Sequence, residues 1–288
     1  MAETSEYWQK LAWDGISMRL PGNWQPAVIQ KSYLLFEQEG EAVFAVKWQR
    51  RHGSFSPDRI LKNLQDSFPQ PAAMIQWQPE KELAEIVRQY SITGFQYQDK
   101  DKSFLGLLLF CPHCRRVTIF QHYTRDLKCR RLLCHILQTF SDHTPGEEQD
   151  WSIFDIRAQL PAKAELKTYE FLAGKYTISF SLGDANIELY RFKPAAAILK
   201  NKSLLEFGSH LAGKAACVDF TPVKEAHWEY TATGLDRLPV MLGRQPSWIW
   251  LYLKVSNEKN AILAVRGSGR RSMDRKRMQY IADNFTLR

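Results

Sequence analysis

The sequence predicts an α+β protein written twice: two tandem, duplicated domains, each an antiparallel sheet with helices packed on it. Three observations predict this. Aromatic residues make up 12% of the chain, including nine Trp and sixteen Phe, and large flat side chains suit a half-buried pleated surface. A hairpin pattern occurs twice, "SYLLFEQEGEAVFAVKWQR" (32–50) and "KYTISFSLGDANIELYRFK" (175–193), whose turns coincide when Gly40 is laid on Gly183, a shift of 143. Near the end of each half, one ungapped shift of 145 sets Leu108 on Leu253, Val117 on Ile262, Ile136 on Ile281 and Phe140 on Phe285. Self-similarity at a fixed offset is the mark of a repeated unit.

Taken in order, each half opens on an alternating stretch that ends in Leu-Pro, "WDGISMRLPGNW" (13–24) and "WSIFDIRAQLPAK" (151–163). Ile16, Met18 and Leu20, like Ile156, Ala158 and Leu160, alternate with polar neighbours, which is the period of a strand. The hairpins follow, then a helix-like segment in each half, "SPDRILKNLQDSF" after Phe55 and "PAAAILKNKSLLEFGSHL" from Pro194. A long strand ends in Thr-Gly at Gly94 and at Gly234, and a last hairpin leads to a last helix. The stripes Leu133–Ile136–Leu137–Phe140 and Met278–Ile281–Ala282–Phe285 have the spacing of one buried helix face. The polar stretch "SDHTPGEEQD" (141–150), with Pro and Gly together, reads as a linker between a first repeat at 1–140 and a second at 151–288.

The openings "ISMRLPGNW" and "FDIRAQLP" resemble the first strand of the PsbP-like fold, which runs into a Pro-containing turn before a Trp. The resemblance is one of pattern across most of both halves. That fold occurs in a photosystem II extrinsic protein, in a Ran-binding import factor and in uncharacterised bacterial relatives, some of them tandem. It implies a binding or assembly module and carries over no catalytic residue.

Composition limits the function classes. With 44% hydrophobic and 24% charged residues the chain has material for real cores. The longest apolar run, "FLGLLLF", is about a third of the ~20 residues a spanning helix needs. The N-terminus "MAETSEYWQK" has no apolar core of a signal peptide. Five Cys without an export signal fit reduced thiols in a cytoplasm. The expected localisation is therefore cytoplasmic, without a membrane span.

A net charge of +8 and a pI of about 9.2 raise anionic partners. The densest charge lies in "VRGSGRRSMDRKRMQ" (265–279). There "GSGRR" reads as a glycine-rich loop entering the last helix, able to offer N–H groups to an anion. Arg270, Arg271, Arg275, Lys276 and Arg277 would add charge toward an anion, an acidic protein or a nucleic acid, or would simply be a solvated surface.

The box "FCPHCRR" (110–116) has three readings. Redox chemistry needs its first Cys at a helix N-terminus, whereas Val117–Phe120 favours a strand. A zinc knuckle on a hairpin tip needs two further ligands. Strand and helix rises place Cys129 about 18 Å and Cys134 about 11 Å below the tip, so the chain that returns is the one after the helix, with His143. Cys111, Cys114 and His143, with His113 or a less certain fourth ligand, form the candidate zinc set. The third reading is a plain turn carrying two thiols.

Enzyme signals are weak. The seven His residues form no nucleophile–base spacing, and no Ser sits in a nucleophile elbow. The leading expectation is therefore a non-enzymatic module with a protein partner, with thiol-redox or zinc use of Cys111–Cys114, or anion or nucleic-acid binding at 266–277, as alternatives.

Overall fold

A computed structural model describes residues 7–67, 73–77, 88–98, 103–124, 131–143, 146–221, 224–233, 240 and 245–288. The chain divides into two compact units, Met1–Pro145 and Gly146–Arg288.

In the first unit, Trp8–Trp13 (β1) and Ile16–Pro21 (β2) form a hairpin. A seven-stranded antiparallel sheet follows, made of Gln25–Gln30 (β3), Tyr33–Gln38 (β4), Glu41–Arg50 (β5), Ala73–Trp77 (β6), Ser91–Gln98 (β7), Ser103–Phe110 (β8) and Arg116–Tyr123 (β9). Its order is β3-β4-β5-β9-β8-β7-β6. Its described helices are Pro57–Asp66 (α1) and Arg131–Gln138 (α2). Ser56 caps α1 by accepting from Arg59 N, and Pro57 opens it, the position where a missing N–H costs least. Ile60 and Leu61 of α1 then bury against Phe95, Tyr97, Phe104 and Leu108. Fully buried side chains of this size each contribute roughly 1.5–3 kcal/mol.

In the second unit, Glu148–Ile153 (β10) and Ile156–Pro161 (β11) make the matching hairpin. The sheet comprises Glu165–Leu172 (β12), Lys175–Leu182 (β13), Ala185–Phe192 (β14), Ala216–Thr221 (β15), Glu225–Thr231 (β16), Trp248–Ser256 (β17) and Ala261–Gly269 (β18). Its order, β12-β13-β14-β18-β17-β16-β15, repeats that of the first unit. Ala195–Ile198 (α3), Leu204–Ala212 (α4) and Arg275–Asn284 (α5) are its described helices, and Thr286–Leu287 (β19) pairs with β11. Helix α4 packs Leu204, Gly208 and Ala212 over Trp228 and Leu251.

The expected α+β class is corrected: among the described residues the protein is β-rich, with antiparallel sheet dominant and the helices short. Two local causes are visible. The helical stretch expected from Pro194 breaks at Lys200–Lys202, because Ser203 starts a new helix through a capping box with Glu206. Each opening stretch is a two-stranded hairpin, turning at Asp14-Gly15 and at Phe154-Asp155.

The stretch 141–150 is largely structured. Ser141 bridges to Ser17, Asp142 is buried, and Glu148–Asp150 begin β10. The placements expected for Cys129 and Gly234 lie outside the described residues. No described helix is long and apolar enough to cross a membrane.

Candidate metal centre

Strands β8 and β9 pair from Phe104–Tyr123 to Phe110–Val117, and Cys111–Arg115 turn between them. Pro112 suits a turn, Arg115 adopts a left-handed φ of 57°, and Cys111 N closes the turn on Arg116 O at 2.9 Å. Cys111 is buried and Cys114 half-buried, both on the same tip.

Helix α2 delivers the other half. Its stripe Leu133, Ile136 and Leu137 is buried, and Phe140 packs edge-on against Phe120. Thr139 Oγ1 accepts from Arg19 N, and Ser141 exchanges two 2.8 Å backbone bonds with Ser17. These ties hold Asp142 and His143 at the hairpin tip. The Arg116 guanidinium donates to both Gly15 O and Asp142 O. Gly15 has φ +83°, and a Cβ there would stand 2.9 Å from Arg116 Nη2, so glycine serves both the turn and the clamp.

One ligand atom from each of Cys111, Cys114, Asp142 and His143 lies within 4.8 Å of the others. Cys114 Sγ donates to Asp142 Oδ2 at 3.1 Å, and Cys111 Sγ is 3.9 Å from His143 Nδ1. His143 Nδ1 is also 2.6 Å from Asp142 Oδ1, and Tyr90 Oη donates to that oxygen at 2.9 Å. Asp142 is only 1% exposed, so its carboxyl depends on these partners. Burial, then the hydrogen bond to Asp142, pushes the Cys114 thiol up to about 12. Burial and the Asp142 charge also raise Tyr90.

Zinc binds sulfur at about 2.3 Å and nitrogen or oxygen at about 2.0–2.2 Å, so tetrahedral ligands stand roughly 3.3–3.8 Å apart. Two thiols, one imidazole and one carboxylate at the observed spacing fit that ion with sub-ångström to ångström adjustments. A neutral Cys114 thiol is, by contrast, a weak nucleophile, and no helix begins at Cys111.

Three of the expected ligands therefore come together. His113 stands beside them, its ring 5.5 Å from that of His143, but it is not one of the four. Asp142 was hidden within a stretch that reads as linker. Its adjacency to His143, on the segment that returns to the tip, is the signal that points to it. Under the 145-residue shift, Ser256 and Lys259 stand where the first unit has Cys111 and Cys114, and Leu287 and Arg288 where it has Asp142 and His143.

The basic cluster is arranged otherwise than expected. Gly267 and Gly269 are inside β18, paired with Ile187 and Ala185 on one side and with Trp250 and Trp248 on the other. A Cβ at Gly267 would meet Met278 Cε at 2.7 Å and Trp248 at 2.8 Å, so packing, not phosphate, explains this glycine. The N-terminus of α5 is capped by Asp274, whose side chain accepts from Lys276 N. Arg275 pairs with Glu229 at 2.9 Å, Arg277 lies 4.0 Å from Glu148, and exposed Arg271 lies 3.6 Å from Asp184. Arg270 and Lys276 lie in the same 270–277 segment.

No family model matches the chain, and no curated protein matches it. A solved structure from Bacteroides thetaiotaomicron is similar over 52% of this chain and 52% of its own, at 12% identity and a TM-score of 0.30. The apo structure of the immunity protein TplEi of the T6SS from Pseudomonas aeruginosa is similar over 98% of this chain and 97% of its own, at 10% identity and a TM-score of 0.37.

Proposed function

We propose that the protein is a non-enzymatic, zinc-binding module whose first unit holds one structural zinc through Cys111, Cys114, Asp142 and His143. The observation that carries this reading is the convergence of four ligand atoms within 4.8 Å from two segments 28 residues apart. Four protein ligands fill a tetrahedron and leave no open position for substrate, which separates structural from catalytic zinc. The ion would pin the β8–β9 tip to the segment after α2, and its binding free energy would become folding free energy of that unit. Both thiols must stay reduced, as a cytoplasm would keep them. The test is native mass spectrometry of the purified, reduced protein. One zinc per chain, lost in Cys114→Ser, supports the reading, and a chain that stays metal-free after zinc loading refutes it.

A protein partner is the second part of the reading. Among the described residues β15 pairs only with β16, and its Val218 and Phe220 are exposed. An unpaired strand edge with apolar side chains accepts an extended peptide segment. Val218→Lys with Phe220→Lys should abolish capture of such a partner.

A further inference from the structure

Helix α1 covers only part of its sheet face. Where it stops, the cross-strand pairs Lys47–Ile119 and Gln49–Val117 of β5 and β9 form the floor of a groove. Ile60, Asn63 and Leu64 of α1 form its wall, and Arg51 stands at one end. The groove measures about 260 Å³ and opens to solvent, just below the ~300–1,000 Å³ of sites for drug-sized ligands. Its occupant must therefore be small.

Charge narrows the chemistry. Two cations, Lys47 and Arg51, line the groove, and no described lining residue is acidic. Arg51 Nε is buried and has no acceptor among the described residues, a costly condition for a charged group. Arg115 adds a third positive charge nearby, since its side chain donates to Arg51 O and Gly53 O. Besides Lys47, Arg51, Gln49, Asn63 and Ser67, the remaining lining residues are apolar: Val117, Ile119, Ile60, Leu64 and Trp48. Arg51 at one end of an apolar trough, with Lys47 four residues away along the floor, fits one class of molecule.

We propose that this groove binds a small amphipathic carboxylate, with Arg51 holding the carboxylate at its end. The aliphatic tail lies along Val117 and Ile119 beneath α1. The groove shares no lining residue with the Cys111–His143 cluster.

Octanoate is the probe, with octanol and acetate as its uncharged and tailless counterparts, titrated into the full chain by calorimetry. Octanoate should bind saturably at one site per chain, and each counterpart should bind at least tenfold more weakly. Arg51→Gln should weaken octanoate about tenfold and leave octanol unchanged. Asn63→Phe, which fills the groove and keeps both cations, should abolish binding of octanoate and octanol alike. Circular dichroism confirms that each variant is folded. Absence of saturable octanoate binding, equal binding of octanol, or binding that survives Asn63→Phe in a folded protein would overturn the proposal.

Discussion

Cys114 donates its thiol proton to Asp142 Oδ2 at 3.1 Å, across 28 residues of sequence. That bond joins the tip of a β-hairpin to the segment following a helix, and the other face of the same carboxyl is held by Tyr90. A buried carboxyl with a thiol on one oxygen and a phenol on the other is oriented before any ion arrives. Such outer partners typically change metal affinity by about 10–100-fold. Tyr90→Phe should therefore weaken zinc by roughly that factor while leaving one site per chain, as read by competition with a chromophoric chelator. An unchanged affinity would remove Tyr90 from the site.

Thiol reactivity gives a second prediction. Exposed Cys217 should be alkylated before Cys111 and Cys114 near neutral pH, because burial keeps Cys111 from reagent and a thiol pushed up to about 12 leaves Cys114 almost wholly protonated. Zinc should slow the pair further and a chelator should restore their rate. Peptide mapping by mass spectrometry reads the order, and labelling of Cys114 ahead of Cys217 would contradict it.

The hairpins, the sheet-forming runs and the Cys111–Cys114 tip were legible because each rests on short-range pattern. His143 was legible because strand and helix rises bring the chain after the helix back to that tip. Alternation from Tyr33 to Arg50 and the run Val117–Phe120 have one reading as strands. Asp142 was not legible, since its role depends on Ser141 pairing with Ser17 and on Arg116 reaching back to its carbonyl. The glycines at 267 and 269 looked like a phosphate loop because local sequence does not show that Trp248 and Met278 occupy the space a Cβ would need. The helical content was overstated at 194–211 for a related reason. Apolar spacing runs through "AILKNKSLLEF", whereas the Ser203–Glu206 capping box restarts the helix.

Gly208 tests packing in the second unit. It lies mid-helix in α4, where alanine would ordinarily gain about 1 kcal/mol. Its Cβ, however, would overlap the ring of Trp228, which is 1% exposed and cannot swing away. Overpacking of this kind costs typically about 1–3 kcal/mol, and so large an overlap belongs at the upper end. Gly208→Ala should destabilise the protein by about 2 kcal/mol net, read by urea denaturation. Equal or greater stability would show that the helix has room to shift.

His227 makes the second unit sensitive to acid. Burial holds its pKa below the usual value, and Arg275 lowers it further while Glu229, 3.2 Å away, and Asp219 oppose them. The unfolded chain thus binds a proton at higher pH than the folded one. The neutral-histidine contribution is complete above the unfolded value of ~6.5 and is lost as pH falls through the depressed folded value. His227→Gln should flatten the fall in stability as pH drops below about 6.5. Identical pH profiles for variant and parent would contradict this.

Cobalt(II) substitution tests the central claim most directly, because its absorption reports both coordination number and thiolate ligation. The reduced protein loaded with one cobalt should show the intense ligand-field bands of a tetrahedral site together with sulfur-to-cobalt charge transfer. That charge transfer should fall by about half in Cys111→Ser, in keeping with two thiolates among four ligands. Zinc should then displace the cobalt and erase both features. A weak six-coordinate spectrum without charge transfer, or one unchanged in Cys111→Ser, would contradict the metal centre.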